Sequence, residues 1–386
     1  MINVASLALA SLVASAPAPL SPSPLAPQSK GAALPSTGGA PKVYVFPMHG
    51  QMGTDVSKAL VEIMKEDIRK QKPDIIVYHL KSADIDRIEY LGENDDTDEF
   101  GIPDVEGYRD LAKDLHESLV DIPQVMWVED SVGIATLMAL AWSDLYMKSD
   151  ARLWGLSILP MLARHPDEDV AAKFLAAVKG YGNGVLQMGG YPEVLGDAMM
   201  LRERKLSVRF KGREVEWLPD TSGTWIVDNS EDRAARFDAT IAEEVLLSDG
   251  TADSIDDLMF LLGYREYTEL ESGKKLAKQY TEDWRKALER VREWMQEYQE
   301  AEEGAESAIT ALGKQRSILE KVLATLKQYP AVEARLGRLG VNQTAVQIQI
   351  DNLRKDIQRL RDAERGNRGG NNGGGRGPGG MGGGRR

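Results

Sequence analysis

The feature that most constrains this chain is an alternation of two hydrophobic periods between residues 43 and 147. Val43–Pro47, Asp74–Leu80 and Gln124–Val128 are short apolar runs bounded by turn residues, and each predicts a buried strand. Between the first two, Thr54–Gln71 carries Val56, Leu60, Ile63, Met64 and Ile68 on one helical stripe, with Thr54 or Asp55 placed to cap it. Residues 105–118 read as a second helix. Val132–Ala141 is small and apolar all round, which predicts a buried helix. Strands that alternate with helices in this way favour parallel βα units, so residues 42–270 are expected to form an α/β domain.

Beyond residue 274 the pattern changes. Strand signals vanish, charge density rises, and positions 288, 291, 295, 298, 302, 305, 309, 312, 316, 319, 323 and 326 follow a 3,4 spacing. Ten of these 12 are apolar or small, the exceptions being Glu302 and Arg316, which meets the heptad criterion. Pro330, Gly337 and Gly340 then break the helix, and Val346, Ile350, Leu353, Ile357 and Leu360 resume the spacing. Residues 274–365 are therefore read as a long coiled coil, either a helical hairpin within one chain or the seam of a homo-oligomer. No stretch beyond residue 42 reaches 18 consecutive apolar residues, the length expected of a membrane-spanning helix.

The flanks are compositional outliers. Residues 1–16 are small and apolar and end on Ala14-Ser15-Ala16, as a signal-peptidase site does, but they lack a basic start. A signal peptide would make the protein periplasmic or secreted; a plain disordered leader would leave it cytoplasmic. Residues 17–41 hold seven of the 17 prolines and read as an extended linker. Residues 366–386 contain 12 glycines, four arginines and no acid, a composition that cannot build a core. Removing those arginines takes the net charge from −13 to −17 on residues 1–365. An acidic body argues against DNA binding, whereas the Gly/Arg tail is suited to RNA or to an acidic surface, its own included. With no cysteine in 386 residues, disulfides, thiolate metal sites and a cysteine nucleophile are excluded.

Several of these segments, in order, resemble the ClpP/crotonase superfamily, and most of all its NfeD and signal-peptide-peptidase-A type serine peptidases. Lys42–Gly50 is similar to the first strand and glycine turn of that family, Asp74–Leu80 to its second strand, and Ile122–Val128 to the strand before the nucleophile. Ala135–Met147 resembles the following helix and strand, and Ala151–Gly155 the next glycine-ended strand. Tyr191–Ser207, Ala242–Gly250 and Ala252–Leu258 resemble the late helices. The resemblance covers about 220 residues and implies a spiral of repeated ββα units. It also implies peptide cleavage by a Ser–Lys dyad without a cofactor, a tendency to oligomerise, and a peptide or a membrane protein as partner.

Such chemistry needs a serine at a helix start, a desolvated lysine to take its proton, and a Gly-Gly backbone amide for the oxyanion. Aligned through Ala139–Ala141, the nucleophile position is Gly133, followed by Ile134, and Asp84-Ile85 stands where the family has Gly-Gly. Lys179 matches the lysine region. Ser131 could replace the lost nucleophile only with a two-residue shift; otherwise it is an N-cap for the helix near Val132. A crotonase-like alternative would use the Gly133 amide to hold an acyl-CoA enolate. His49 reads as a turn residue, and His79 and His116 as structural. Residues 93–99 form an acidic run without EF-hand spacing, so no metal is expected. Together these readings favour a peptidase-fold protein that has lost its serine and serves as an oligomeric scaffold. An active peptidase using Ser131 and Lys179 is the alternative.

Overall fold

A computed structural model describes residues 39–83, 105–212, 214–303 and 305–370. The leader, nearly all of the Pro-rich linker, Asp84, Ile85, the acidic run and most of the Gly/Arg tail lie outside the described residues.

The apolar runs form strands longer than their apolar cores. They are β1 (Lys42–Gln51), β2 (Ile75–Ala83) and β3 (Gln124–Val132), followed by the shorter β4 (Leu145–Met147) and β5 (Arg152–Trp154). Later strands are β6 (Leu206–Lys211), β7 (Glu214–Leu218), β8 (Trp225–Asp228), β9 (Phe237–Asp238), β10 (Gly250–Thr251) and β11 (Thr268–Leu270). The main sheet runs β10-β4-β3-β2-β1-β11 with every pairing parallel. The start of β3 pairs with β4 and its end with β5, and β5 pairs antiparallel with β9. A register shift at Leu80/Lys81 interrupts the β2–β3 ladder. The fold is thus mixed α/β with a mostly parallel sheet, as the alternation predicts.

Parallel strands must be covered on both faces. One face, with Tyr44, Phe46, Met48 and Tyr78, packs on the helices of the main core. The other, with Val43, Val45, Ile75, Val77, Val125 and Trp127, is covered in part by Leu258 and Met259. Burying each such aliphatic side chain contributes about 1.5–3 kcal/mol.

The helices are α1 (Lys58–Gln71), α2 (Val105–Ser118), α3 (Ala135–Ala139), α4 (Leu159–Leu162), α5 (Glu168–Met188), α6 (Glu193–Met200), α7 (Ala239–Glu244) and α8 (Ile255–Leu261). The helical region adds α9 (Ser272–Gln299), α10 (Ala308–Gln328), α11 (Pro330–Leu336) and α12 (Gln343–Gly370). Two expectations need correction, and a third feature lies beyond those expectations. First, α1 starts four residues late: Ser57, not Thr54 or Asp55, caps it by accepting from the Leu60 amide, because Asp55 instead accepts from the Gln51 amide at 2.9 Å. Second, β3 extends through Ser131 to Val132, so the helix after it shrinks to five residues. Its N-cap position is Ile134, and Ser131 does not cap it. Third, residues 206–228 form a separate antiparallel sheet, β7-β6-β8. The alternation Val208, Phe210, Val215, Trp217 around Gly212 was the signal for it.

The heptad series does not form one long rod. It breaks at Glu300–Glu302, and Ser307 caps a new helix. Tyr280, Trp284, Leu288 and Val291 of α9 join the core of the sheet. α10 and α12 fold against each other within the chain, burying Ile318, Leu319, Val322, Val346 and Ile350, with Arg354 paired to Glu320 at 2.9 Å. On α10 the buried stripe includes Ala311, Gln315, Ile318, Val322 and Thr325, each one residue before an expected seam position. Packing between two helices requires a wider face than a single seam. No helix among the described residues is long and apolar enough to cross a membrane.

Candidate functional site

Of the residues expected at a peptidase centre, Ser131, Gly133 and Ile134 sit at the carboxyl end of β3. Ser131 pairs with Ser82 on β2 and with Leu153 on β5, and none of its surface reaches solvent. Its hydroxyl donates to Thr136 Oγ1 at 3.4 Å, and its amide donates to the Asp130 carboxylate at 3.0 Å. Thr136 Oγ1 lies 2.8 Å from the Trp154 carbonyl, which accepts its hydrogen bond. Gly133 turns the chain from strand to helix at φ +80°, a left-handed conformation that glycine adopts without penalty. Its N–H donates to the Trp154 carbonyl at 2.9 Å, so that amide is spent inside the fold. Ile134 is wholly buried.

Lys179 lies on α5, where its ammonium donates to Asp197 of α6 at 2.9 Å. Asn183 donates to the other oxygen of the same carboxylate. No hydrogen bond joins Lys179 to Ser131 among the described residues.

Elsewhere the fold brings His49 and His79, expected as a turn and a structural residue, together with Glu129. On the face of the sheet away from the main core, His49 of β1, His79 of β2 and Glu129 of β3 form a chain. Glu129 accepts from His79 Nε2 at 3.0 Å, and His79 Nδ1 lies 3.1 Å from His49 Nε2. A carboxylate can only accept, so the proton sits on His79 Nε2. Neutral His79 then accepts at Nδ1 from the Nε2–H of His49. Lys81 and Lys148 each donate to Glu129 at 2.8 Å. The hydrogen bond from His79, reinforced by the two lysines, holds the Glu129 carboxyl far below the usual range. Burial pulls His79 down in spite of Glu129. His49 is exposed in part and lines a cavity, yet the protein packed around it disfavours the cation, and His79 adds to this; its pKa falls to about 4. The Trp127 ring stacks on His79 at 4.2 Å between centroids and fixes its plane.

This chain of groups ends in a cavity of about 560 Å3 between the sheet and α9. Val45, Pro47, Leu60, Trp127 and Ile255 line it with apolar surface, and α9 contributes Lys274, Lys278 and Arg285. The missed signal is one of register. Pro47 pairs with His79, so His49 and His79 share a face two positions apart, which is visible only once the strands are aligned. His116, by contrast, is structural as expected: it bonds the Ala141 carbonyl at 2.8 Å and stacks on Trp142. Among the described residues no group of three His, Cys, Asp or Glu side chains is placed to hold a metal ion.

No protein-family model and no curated protein matches the chain. Among solved structures, a membrane protease specific for a stomatin homolog from Pyrococcus horikoshii overlaps it with TM-score 0.35 and 12% identity, over 57% of this chain and 79% of that one. A membrane-bound stomatin-specific protease mutant with a substrate peptide gives TM-score 0.36 and 11% identity, over 57% and 80%. A peptidase from Plasmodium falciparum gives 0.32 and 13%, over 54% and 96%.

Proposed function

We propose that this chain is a ClpP/crotonase-like, NfeD-type protein that binds a peptide or protein and does not hydrolyse it. The observation that carries this reading is the occupied turn at Gly133. The position aligned with the nucleophile has no side chain, and its amide is committed to the Trp154 carbonyl at 2.9 Å. Oxyanion stabilisation needs a donor aimed at the developing charge, and removing one such donor from an enzyme typically costs about 2.7–4 kcal/mol of catalysis. The same commitment weighs against holding an acyl-CoA enolate at Gly133. Ser131 cannot substitute while it is sealed in the sheet and hydrogen-bonded to Thr136. Exposed apolar surface suited to a peptide exists on β6–β8, where Phe210 and Trp225 continue the face of Val208 and Trp217 beyond the core. The scaffold reading does not depend on an intermolecular coiled coil, because the seam of 308–357 is satisfied within the chain.

The test is labelling of the intact protein with a fluorophosphonate probe. The expected result is no labelling. Labelling of the native chain that disappears in Ser131→Ala would overturn the proposal and install the Ser131–Lys179 alternative.

A further inference from the structure

We propose that the cavity between β1–β3 and α9 is a binding site for a small carboxylic acid with an apolar, ring-sized body. This inference goes beyond the peptide-binding reading and stands whether or not Ser131 reacts.

His49 supplies the recognition. Its Nε2–H is committed to His79, and its Nδ1 accepts no hydrogen bond from the described residues. A neutral imidazole therefore offers one lone pair at the cavity mouth. The complementary group is an acid O–H, or equivalently a carboxylate that arrives with a proton. The proton passes from the acid to Nδ1, leaving carboxylate against imidazolium. Behind His49, His79 and Glu129 form a hydrogen-bonded line to a carboxylate that can stabilise that charge. The body of the ligand has the Trp127 ring, Val45, Pro47, Leu60 and Ile255 to cover it. About 560 Å3 falls within the usual range of small-molecule sites.

The charged surroundings set the direction of the pH effect. His79 and Lys81 on β2 and Lys148 after β4 oppose a second positive charge, and Glu129 on β3 favours it. From the far wall come Lys274, Lys278 and Arg285, which attract an anion, against Asp55 and Glu282. Lys274 pairs with Glu269, Lys278 with Glu282 at 4.0 Å, and Arg285 with Asp55 at 3.5 Å, so these cations orient a carboxylate as part of existing pairs. Without ligand, His49 stays neutral at physiological pH. An anion beside it raises its proton affinity, so ligand and proton bind together.

The experiment is calorimetric titration of the full chain with 2-naphthoate at pH 7.5 and 5.5, each in two buffers of different ionisation enthalpy. Methyl 2-naphthoate serves as the neutral control. The expected result is affinity rising toward about a hundredfold higher at pH 5.5 than at pH 7.5, the limit for uptake of one full proton over two pH units. A buffer-dependent heat reporting proton uptake, and a much weaker ester, are also expected. His49→Gln, a substitution at an exposed ring, should abolish the proton uptake, and a circular dichroism spectrum confirms that it folds. Three outcomes would overturn the proposal: no heat at either pH, equal binding of the ester, or proton uptake unchanged in folded His49→Gln. None of these bears on fluorophosphonate labelling, so the two proposals fail separately.

Discussion

Three histidines of this protein have their protonation disfavoured by the fold, and that fixes the sign of its response to acid. His49, His79 and His116 all lie below the ordinary value of 6.5, chiefly through burial, with His49 near 4. Between the lowered value and 6.5 the unfolded chain takes up protons that the native chain refuses. Stability from these groups is therefore complete above about pH 6.5 and is lost as pH falls through their native values. Glu129 works in the same direction lower down, because its depressed pKa contributes stability that is lost as pH falls below its ordinary 4.5. The urea midpoint is expected to hold between pH 7.5 and about 6.5 and to drop from there to pH 5. A midpoint that holds or rises between pH 6.5 and pH 5 would contradict the disfavoured protonation of these histidines. Individual residue types told part of this. The structural role of His116 was legible in the sequence, where it reads as a structural residue. The His49–His79–Glu129 chain was not, because each member is unremarkable alone and the three meet only through strand register.

Elements were legible where a segment's own period decides its state. The spacing of Leu60, Met64 and Ile68 put α1 on the sheet, and the alternation of strands and helices gave the parallel order. The errors came where tertiary contacts override local period. A 3,4 repeat looks the same whether its partner is another chain or the chain's own sheet, and α9 takes the second option. Its entry is tight. A Cβ added at Gly273 would lie 2.4 Å from the Val45 carbonyl and 2.8 Å from the Tyr44 ring. Further along, Tyr280 and Ser57 hydroxyls meet at 2.6 Å, tying α9 to the cap of α1. For an exposed helix interior, Gly→Ala stabilises by up to about 1 kcal/mol. Here the backbone carbonyl cannot move away cheaply, and overpacking typically costs about 1–3 kcal/mol. Gly273→Ala is expected to destabilise the protein, read as a lower urea midpoint at unchanged slope. A raised midpoint would mean that α9 lifts from β1 without penalty.

At the scale of the whole molecule, the sequence suggests a seam near residue 270 between an α/β body and a helical appendage. Packing argues otherwise. Trp284 is wholly buried, and Ala287, Leu288 and Val291 belong to the same continuous core as Tyr44, Phe46 and Leu60. That core extends through Leu319 and Val322 of α10 to Val346 and Ile350 of α12. Unfolding the helices alone would expose the α9 face of the sheet, at a cost of about 25 cal/mol for each Å2 of apolar surface uncovered. The helices and the sheet are therefore expected to unfold together. Helical circular dichroism is dominated by α9, α10 and α12, whereas five of the seven tryptophans, Trp127 and Trp142 among them, lie outside the helical region and weight emission toward the sheet and its packed helices. Urea transitions followed by the two signals should coincide, the criterion for a shared cooperative unit. A helical transition that precedes the tryptophan transition by a clear margin would restore the boundary near residue 270 and make 272–370 a separable module.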